Sequence, residues 1–461
     1  MTNKRPNILF VFPDQYRLQA LGFRGDDPVH TPNLDAFAAE SRVLTHAVST
    51  RPVCSPYRAM LLTGQYPHQN GVVVNCNSNT SALGNYLKES TVCLSDVLAE
   101  AGYSQGYIGK WHLDPPNPDH NAYTEGPRGS GGVIWDTYTP PSRRHQFDFW
   151  HSYGCCDRHF NPHYWTTGAA LHERIEPQEW SVKHETDVAV DYIRNANGER
   201  DPEKPFSLVI SHNPPHPPYQ QVPPRYLERY EDMPLETLAN RANFDAQTFR
   251  GEEGAARTMR QYFAAVTGVD EQFGRMLRAL DEEGLRENTI VVFTADHGDM
   301  MGSHGRIGKD LWYAESFRVP FIVRWPGRLA EGEDDLLIGT PDLMPTLLGL
   351  TGEAGRIPDE VQGINYAPAL LGEEQARPTS ALYWTAGAGG GGNGVQRRGI
   401  LTHRHTFVVQ RKGEEEQIIL HDDNADPYQL RNAADANADL VESLRTELWE
   451  QLQEIEDPWA V

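Results

Sequence analysis

Cys54 and Arg58 lie one helical turn apart in a segment, residues 54–63, whose Pro56 marks the start of a helix. A cysteine at a helix N-terminus sits at the positive end of the dipole, which stabilises a thiolate or any oxyanion formed there. Arg58 points the same way and can hold such a group by charge-assisted hydrogen bonds. A second set of residues is built of hard donors. Asp14-Gln15 and Asp296-His297 supply two carboxylates, an amide oxygen and an imidazole. Two carboxylates with neutral oxygen donors suit Ca2+ or Mg2+; one histidine among them is compatible with calcium but not preferred by it. The chemistry on offer is therefore a nucleophile at a helix end beside a divalent-cation site.

Each of these groups follows an apolar run that reads as a buried strand. Residues 7–12 (NILFVF) end at Pro13-Asp14, residues 206–211 (FSLVIS) lead to His216, and residues 289–295 end at Asp296-His297. Residues 104–108 and 319–324 read as further strands, and helices are expected at 31–41, 55–63, 94–101 and 257–283. Strands alternating with helices predict an α/β fold with a mainly parallel sheet. Ligands bind at the carboxyl ends of strands in such sheets, which is where these polar residues fall. From about residue 354 the character changes. Residues 387–394 are glycine-rich, a plain flexible loop or a lid over substrate. Residues 399–410 and 417–421 read as antiparallel strands, and 438–455 as an amphipathic helix. The expected organisation is a catalytic domain over 1–355 and a smaller α+β domain over 356–461. That agrees with 461 residues at roughly 100–200 per domain.

Composition narrows the function. With 41 Lys and Arg against 64 Asp and Glu, the net charge of −23 argues against nucleic acid and anionic membranes as partners. An anionic substrate would need local positive charge to overcome that field. Cys54, Cys76, Cys93, Cys155 and Cys156 are odd in number with no C-x-x-C spacing, so neither a disulfide framework nor a structural zinc site is expected. No apolar run approaches the roughly 20 residues of a membrane span. The N-terminus does not read as a signal peptide, so the expectation is a cytoplasmic protein, or a periplasmic or secreted one where a leader has been removed.

Cys54-Ser55-Pro56-Tyr57-Arg58, with the trailing Leu62-Thr63-Gly64, resembles the C-x-P-x-R signature of the type I sulfatases of the alkaline phosphatase superfamily. The resemblance covers most of the chain. Gly109-Lys110-Trp111-His112 resembles the family's G-K-W-H segment, and Ile419 to Asn432 the element before its last helix. It implies an alkaline-phosphatase-like fold with a small C-terminal antiparallel sheet. It also implies that Cys54 becomes formylglycine through a formylglycine-generating maturation enzyme. The hydrated aldehyde would offer one hydroxyl as nucleophile, and the other would later expel sulfate. One divalent ion, most simply Ca2+ with Mg2+ or Mn2+ as alternatives, would be held by Asp14, Gln15, Asp296 and His297, with the modified Cys54 side chain completing the set. Lys110 would bridge sulfate and nucleophile, His112 would take a proton from the remaining hydroxyl, and Arg58 would hold the diol. His216 would protonate the leaving oxygen, and Lys309 would neutralise charge on it. These cations meet the electrostatic demand of the reaction, because charge builds on the bridging oxygen as the S–O bond breaks.

The expected substrate is a sulfate monoester on a small molecule or, more specifically, a carbohydrate. Residues 135–165 are dense in aromatic and basic groups, Trp135, Arg143 and Trp150 among them, and suit sugars and anionic sugar substituents. The alternative is that these aromatics simply pack on the domain. His304 and Arg306, in the turn before Lys309, are further substrate candidates. A phosphonate or phosphate diester hydrolase of the same superfamily is the main alternative activity, and a choline-sulfatase-like enzyme another. Phosphonate monoester hydrolases generally carry Tyr and Thr where Lys110 and His112 stand, which favours sulfate. Whether the chain is monomeric or a homo-oligomer is open.

Overall fold

The computed structural model describes residues 5–116, 132–386 and 394–460. Nine strands form the main sheet: β1 (Asn7–Val11), β2 (Arg42–Ala47), β3 (Ser104–Lys110), β4 (Phe149–Tyr153), β5 (Trp165–Thr166), β6 (Phe206–Ser211), β7 (Thr289–Thr294), β8 (Phe321–Arg324) and β9 (Gly332–Ile338). Their order is β5-β4-β3-β6-β1-β7-β8-β2-β9. The inner run β4-β3-β6-β1-β7 is parallel throughout, which is why β1, β3, β6 and β7 read as buried strands. β5 and β8 pair antiparallel with this run, and β2 pairs parallel with β9 beyond it. The sheet is thus mainly parallel, as expected. The strand expected at 319–324 is present, but it runs against β7.

The helices take predictable places. Pro32–Ala39, Cys54–Thr63, Leu94–Glu100, Ser181–Arg194 and Glu252–Glu282 cover the sheet. The last is 31 residues long and packs chiefly on the Ser181–Arg194 helix. It starts five residues earlier than the sequence pattern suggests, because Glu252 and Glu253 favour the positive end of a helix.

A separate four-stranded antiparallel sheet is built from β10 (Ser380–Thr385), β11 (Val395–Thr402), β12 (His405–Lys412) and β13 (Glu415–Asp422), in that order. The run read as one strand over 399–410 is divided at His403-Arg404, where β11 turns into β12. Alternation gives this sheet two apolar faces. Leu382, Trp384, Phe407 and Val409 meet Leu444, Leu448 and Leu452 of the Ala438–Glu454 helix. Ala381, Tyr383, Leu401 and Val408 pack instead on Val48, Phe317 and Leu337 of the main body. The glycine run at 387–393 lies outside the described residues. Among those described, no helix is long and apolar enough to cross a membrane.

Candidate active site

The sheet order explains why residues distant in sequence converge. β3, β6, β1 and β7 are consecutive neighbours and parallel, so Lys110, Asn213, Asp14 and Asp296 emerge from the same edge. The ladder continues past the strand ends: Phe12 N–H donates to Ile210 O and Asp14 N–H to His212 O. Gly109 precedes Lys110 at φ +96°, and a Cβ there would meet Ser211 O at 2.2 Å, so only glycine lets β3 and β6 close at this point. Gln15 and His112 hold positive φ of 65° and 54°, a strained backbone of the kind that gathers at functional sites.

The helix carrying Cys54 is buried along its whole length. Cys54 is its first residue, and its Sγ stands where the oxygens of a formylglycine hydrate would lie. Around that atom stand Lys309 Nζ at 3.0 Å, His297 Nε2 at 3.4 Å, Asp14 Oδ1 at 3.6 Å and Lys110 Nζ at 3.9 Å. Burial and Asp14 oppose ionisation of the thiol, but Lys110 and Lys309 outweigh them and hold it well below its usual range. Burial would raise Asp14 too; the same two lysines keep it ionised. Lys110 reaches Asp14 Oδ2 at 2.8 Å.

His112 is oriented as a base. Its Nε2–H donates to Cys76 O at 3.0 Å, while Nδ1 is buried without a partner among the described residues. Burial keeps the ring below its ordinary pKa and therefore neutral. Arg58 departs from the expected role. Its Nη2 bonds Asp14 Oδ2 at 3.1 Å and Asp296 Oδ2 at 3.4 Å, and its Nη1 bonds Lys110 O and Ser211 Oγ. The guanidinium is 1% exposed beneath the site, with both terminal nitrogens hydrogen-bonded. It aligns the carboxylates rather than grasping a diol.

Asp14, Cys54, Asp296 and His297 each offer one donor atom, all within 4.8 Å of one another. Burial, together with the Asp14 charge, pushes Asp296 up to about 6. Two buried carboxylates held face to face are the donor set that a divalent cation relieves, so the residues fit such an ion. Gln15 turns its Oε1 to Lys309 Nζ at 3.0 Å. Its orientation comes from Asp299, whose Oδ2 accepts both Gln15 Nε2 and the Tyr219 hydroxyl, the latter at 2.6 Å. Asp299 Oδ1 accepts the N–H of Met301 and of Gly308, which fixes the turn presenting Lys309. Asp299→Asn is expected to weaken divalent-ion affinity about 10–100-fold, as second-layer ligand supports usually do. Titration calorimetry on chelator-stripped protein reads this, and an unchanged affinity would remove Asp299 from the role.

The substrate candidates divide. Trp135 is half-buried, edge-on to His112 with ring centroids 6.1 Å apart. Trp150 is 1% exposed, packed among Tyr107, Trp111 and Phe147, and belongs to the core instead. Arg143 is paired with Asp114 at 2.5 Å and lies over the Tyr86 ring, so it too is structural. His304 stacks on Tyr313 at 3.7 Å and bonds Asn243, while Arg306 is exposed on the same turn. His212 is a buried strut, its Nδ1 2.6 Å from Glu185 Oε2. His216 Nδ1 lies 2.7 Å from Pro217 O.

Sequence reading missed Asn213, whose Oδ1 accepts from Lys110 Nζ at 3.2 Å, and it missed Asp299 and Tyr219. Asn213 and Asp299 lie two and five residues past the ends of β6 and β7, and that position was the signal available.

A buried nucleophile amid lysines, carboxylates and imidazoles at the carboxyl edge of a parallel sheet defines a hydrolase of anionic esters. Residues 6–353 match the sulfatase family model, and residues 302–457 match that of the C-terminal region of N-sulphoglucosamine sulphohydrolase. The chain is 43% identical to an endo-4-O-sulfatase of Bacteroides thetaiotaomicron, over 99% of this chain and 93% of that protein. It is 33% identical to an ulvan-active sulfatase of Formosa agariphila, over 93% and 77%. The solved structure of the putative sulfatase yidJ of Bacteroides fragilis matches with TM-score 0.92 at 38% identity, covering 100% of this chain and 98% of that one. The chain belongs to the sulfatase family of the alkaline phosphatase superfamily and is a sulfuric ester hydrolase.

Proposed function

We propose that this enzyme hydrolyses a sulfate monoester on a carbohydrate, using formylglycine derived from Cys54. The observation that carries the reading is the ring of Lys309, His297, Asp14 and Lys110 within 3.0–3.9 Å of Cys54 Sγ. Formylglycine supplies a hydrated aldehyde, a nucleophile that regenerates itself by releasing sulfate. Asp14, Gln15, Asp296 and His297 would hold a divalent cation, calcium first and magnesium or manganese next, whose charge polarises a sulfate oxygen. Lys110 and Lys309 bind the sulfate and offset charge on the bridging oxygen. The unpartnered Nδ1 of His112 accepts a proton at position 54. His216 donates one to the leaving oxygen.

A carbohydrate is supported by the relatives, an endo-4-O-sulfatase and an ulvan-active sulfatase, and by Trp135 beside His112. Sulfate release from sulfated oligosaccharides is expected to exceed hydrolysis of a phosphonate monoester or phosphate diester by at least about 100-fold, because Lys110 and His112 stand where phosphonate monoester hydrolases generally carry Tyr and Thr. Faster diester cleavage would replace this reading. Peptide mass spectrometry across Cys54, on protein co-expressed with a formylglycine-generating enzyme, should show a loss of about 18 Da, the covalent signature of the converted nucleophile. An unmodified, fully active Cys54 would exclude the mechanism.

A further inference from the structure

We propose that Asp157 is the carboxylate partner of His216 and acts through it, as a positioning residue, in protonating the leaving oxygen. The proposal rests on the reading of His216 given above.

His216 lies on the loop after β6, with its Nδ1 2.7 Å from Pro217 O and 3.4 Å from Asp157 Oδ1. Both neighbours are acceptors, so Nδ1 carries a hydrogen and Nε2 is the ring atom left for substrate. A carboxylate against Nδ1–H fixes the orientation of the ring, so that Nε2 is the atom presented to the leaving oxygen.

Asp157 is tied to the catalytic groups by a single amide. Asn213 Nδ2 donates to Asp157 Oδ1 at 3.3 Å, while Asn213 Oδ1 accepts from Lys110 Nζ at 3.2 Å. Asn213 Nδ2 also reaches Cys156 O at 3.1 Å, which anchors the segment that carries Asp157. Burial opposes ionisation of Asp157, but His216 and then Lys110 outweigh it and hold the carboxyl well below its usual range. Two segments far apart in sequence, 155–159 and 211–217, thus meet in the order Lys110, Asn213, Asp157, His216. Lys110 faces the sulfate end of the ester, and His216 faces the departing end.

The step balances as follows. The bond that breaks joins sulfur to the bridging oxygen, and its electron pair stays on that oxygen. The oxygen takes the proton from His216 Nε2 and departs as the alcohol, while sulfur gains the attacking hydroxyl oxygen, whose own proton is released to water. The ring is left neutral with Nδ1–H still against Asp157, and water restores the Nε2 proton.

The discriminating measurement is dependence on the leaving group. A sugar alcohol is a poor leaving group that needs a proton, whereas 4-nitrophenolate leaves without one. The probes are a sulfated monosaccharide that the matured enzyme turns over and 4-nitrophenyl sulfate. Asp157→Asn is expected to lower the ratio of sugar to aryl kcat/KM about 10-fold, and His216→Ala about 100-fold, within the usual range for general acid catalysis. Asp157→Glu should recover part of the ratio. The double variant should fall little below His216→Ala alone, because the two residues act as a unit. A ratio that Asp157→Asn leaves unchanged, whether both rates fall or neither does, would overturn the proposal. If His216→Ala also leaves the ratio unchanged, the role of His216 itself fails. If His216→Ala lowers it and Asp157→Asn does not, only the partnership fails.

Discussion

Replacing Cys54 with alanine is expected to lower sulfate release by about 10⁵-fold or more, the scale on which removal of a nucleophile acts. The fold should survive. Cys54 is 1% exposed, but the change removes one atom, and the helix it begins is held by Ser55, whose Oγ–H donates to His112 O, and by Arg58 below. A cost of about 1 kcal/mol is typical of so small a loss and lowers the melting temperature by about 2 °C. Loss of activity with a melting temperature lowered by no more than about 2 °C therefore isolates the chemistry. Retained turnover at more than about a hundredth of the wild-type rate would leave the nucleophile elsewhere.

Asp14→Asn is expected to be almost as severe, for a different reason. One carboxylate serves five partners, Lys309 Nζ among them at 3.8 Å from Oδ1. Its Oδ2 takes Lys110 at 2.8 Å and Arg58 at 3.1 Å, and its Oδ1 faces Cys54 at 3.6 Å and His297 at 3.5 Å. An amide in its place removes a hard anionic donor and leaves two buried cations short of a counter-charge. Breaking a buried pair in this way costs about 3–5 kcal/mol. The expected result is a fall in kcat/KM of about 10⁴-fold or more, roughly 5 kcal/mol of transition-state stabilisation. Bound divalent ion, read by elemental analysis, should fall with it. Wild-type kcat/KM in a protein that has lost its ion would sink the metal-assisted reading.

The parts of the site legible in the sequence are those whose placement follows from strand polarity. Asp14, Asp296 and His297 could be assigned to one edge because β1 and β7 are unbroken apolar runs, and buried parallel strands are apolar on both faces. β2 and β9 escaped notice for the converse reason. They lie at the far side of the sheet, and β9 opens with Gly332-Glu333-Asp334-Asp335, which reads as loop. Trp150 shows a different limit. Aromatic density alone does not say whether a ring packs inward or meets a sugar, and only the partners from β3 and the following turn, Tyr107 and Trp111, settle it. Arg58 was legible as a site residue but not in its function, since helix spacing gives direction and not the competing acceptors. Tyr219 and Asp157 have no spacing signature at all. They reach the site through loops whose course depends on tertiary packing.

The burial of the Cys54–Thr63 helix has a temporal meaning. Every residue of that helix is enclosed, and Cys54 has the sheet edge above it and Arg58 beneath. On the proposed function, a maturation enzyme would have to place its own catalytic groups around the cysteine, and the finished protein leaves no room for it to do so. Conversion of Cys54 would then belong to the period before the sheet closes. Folding would be the deadline for that chemistry: a molecule completing its sheet with the thiol intact would be locked in that state. The active fraction of a preparation would then record which process finished first, and slowing the folding of residues 54–63 onto β1 and β7 would raise it.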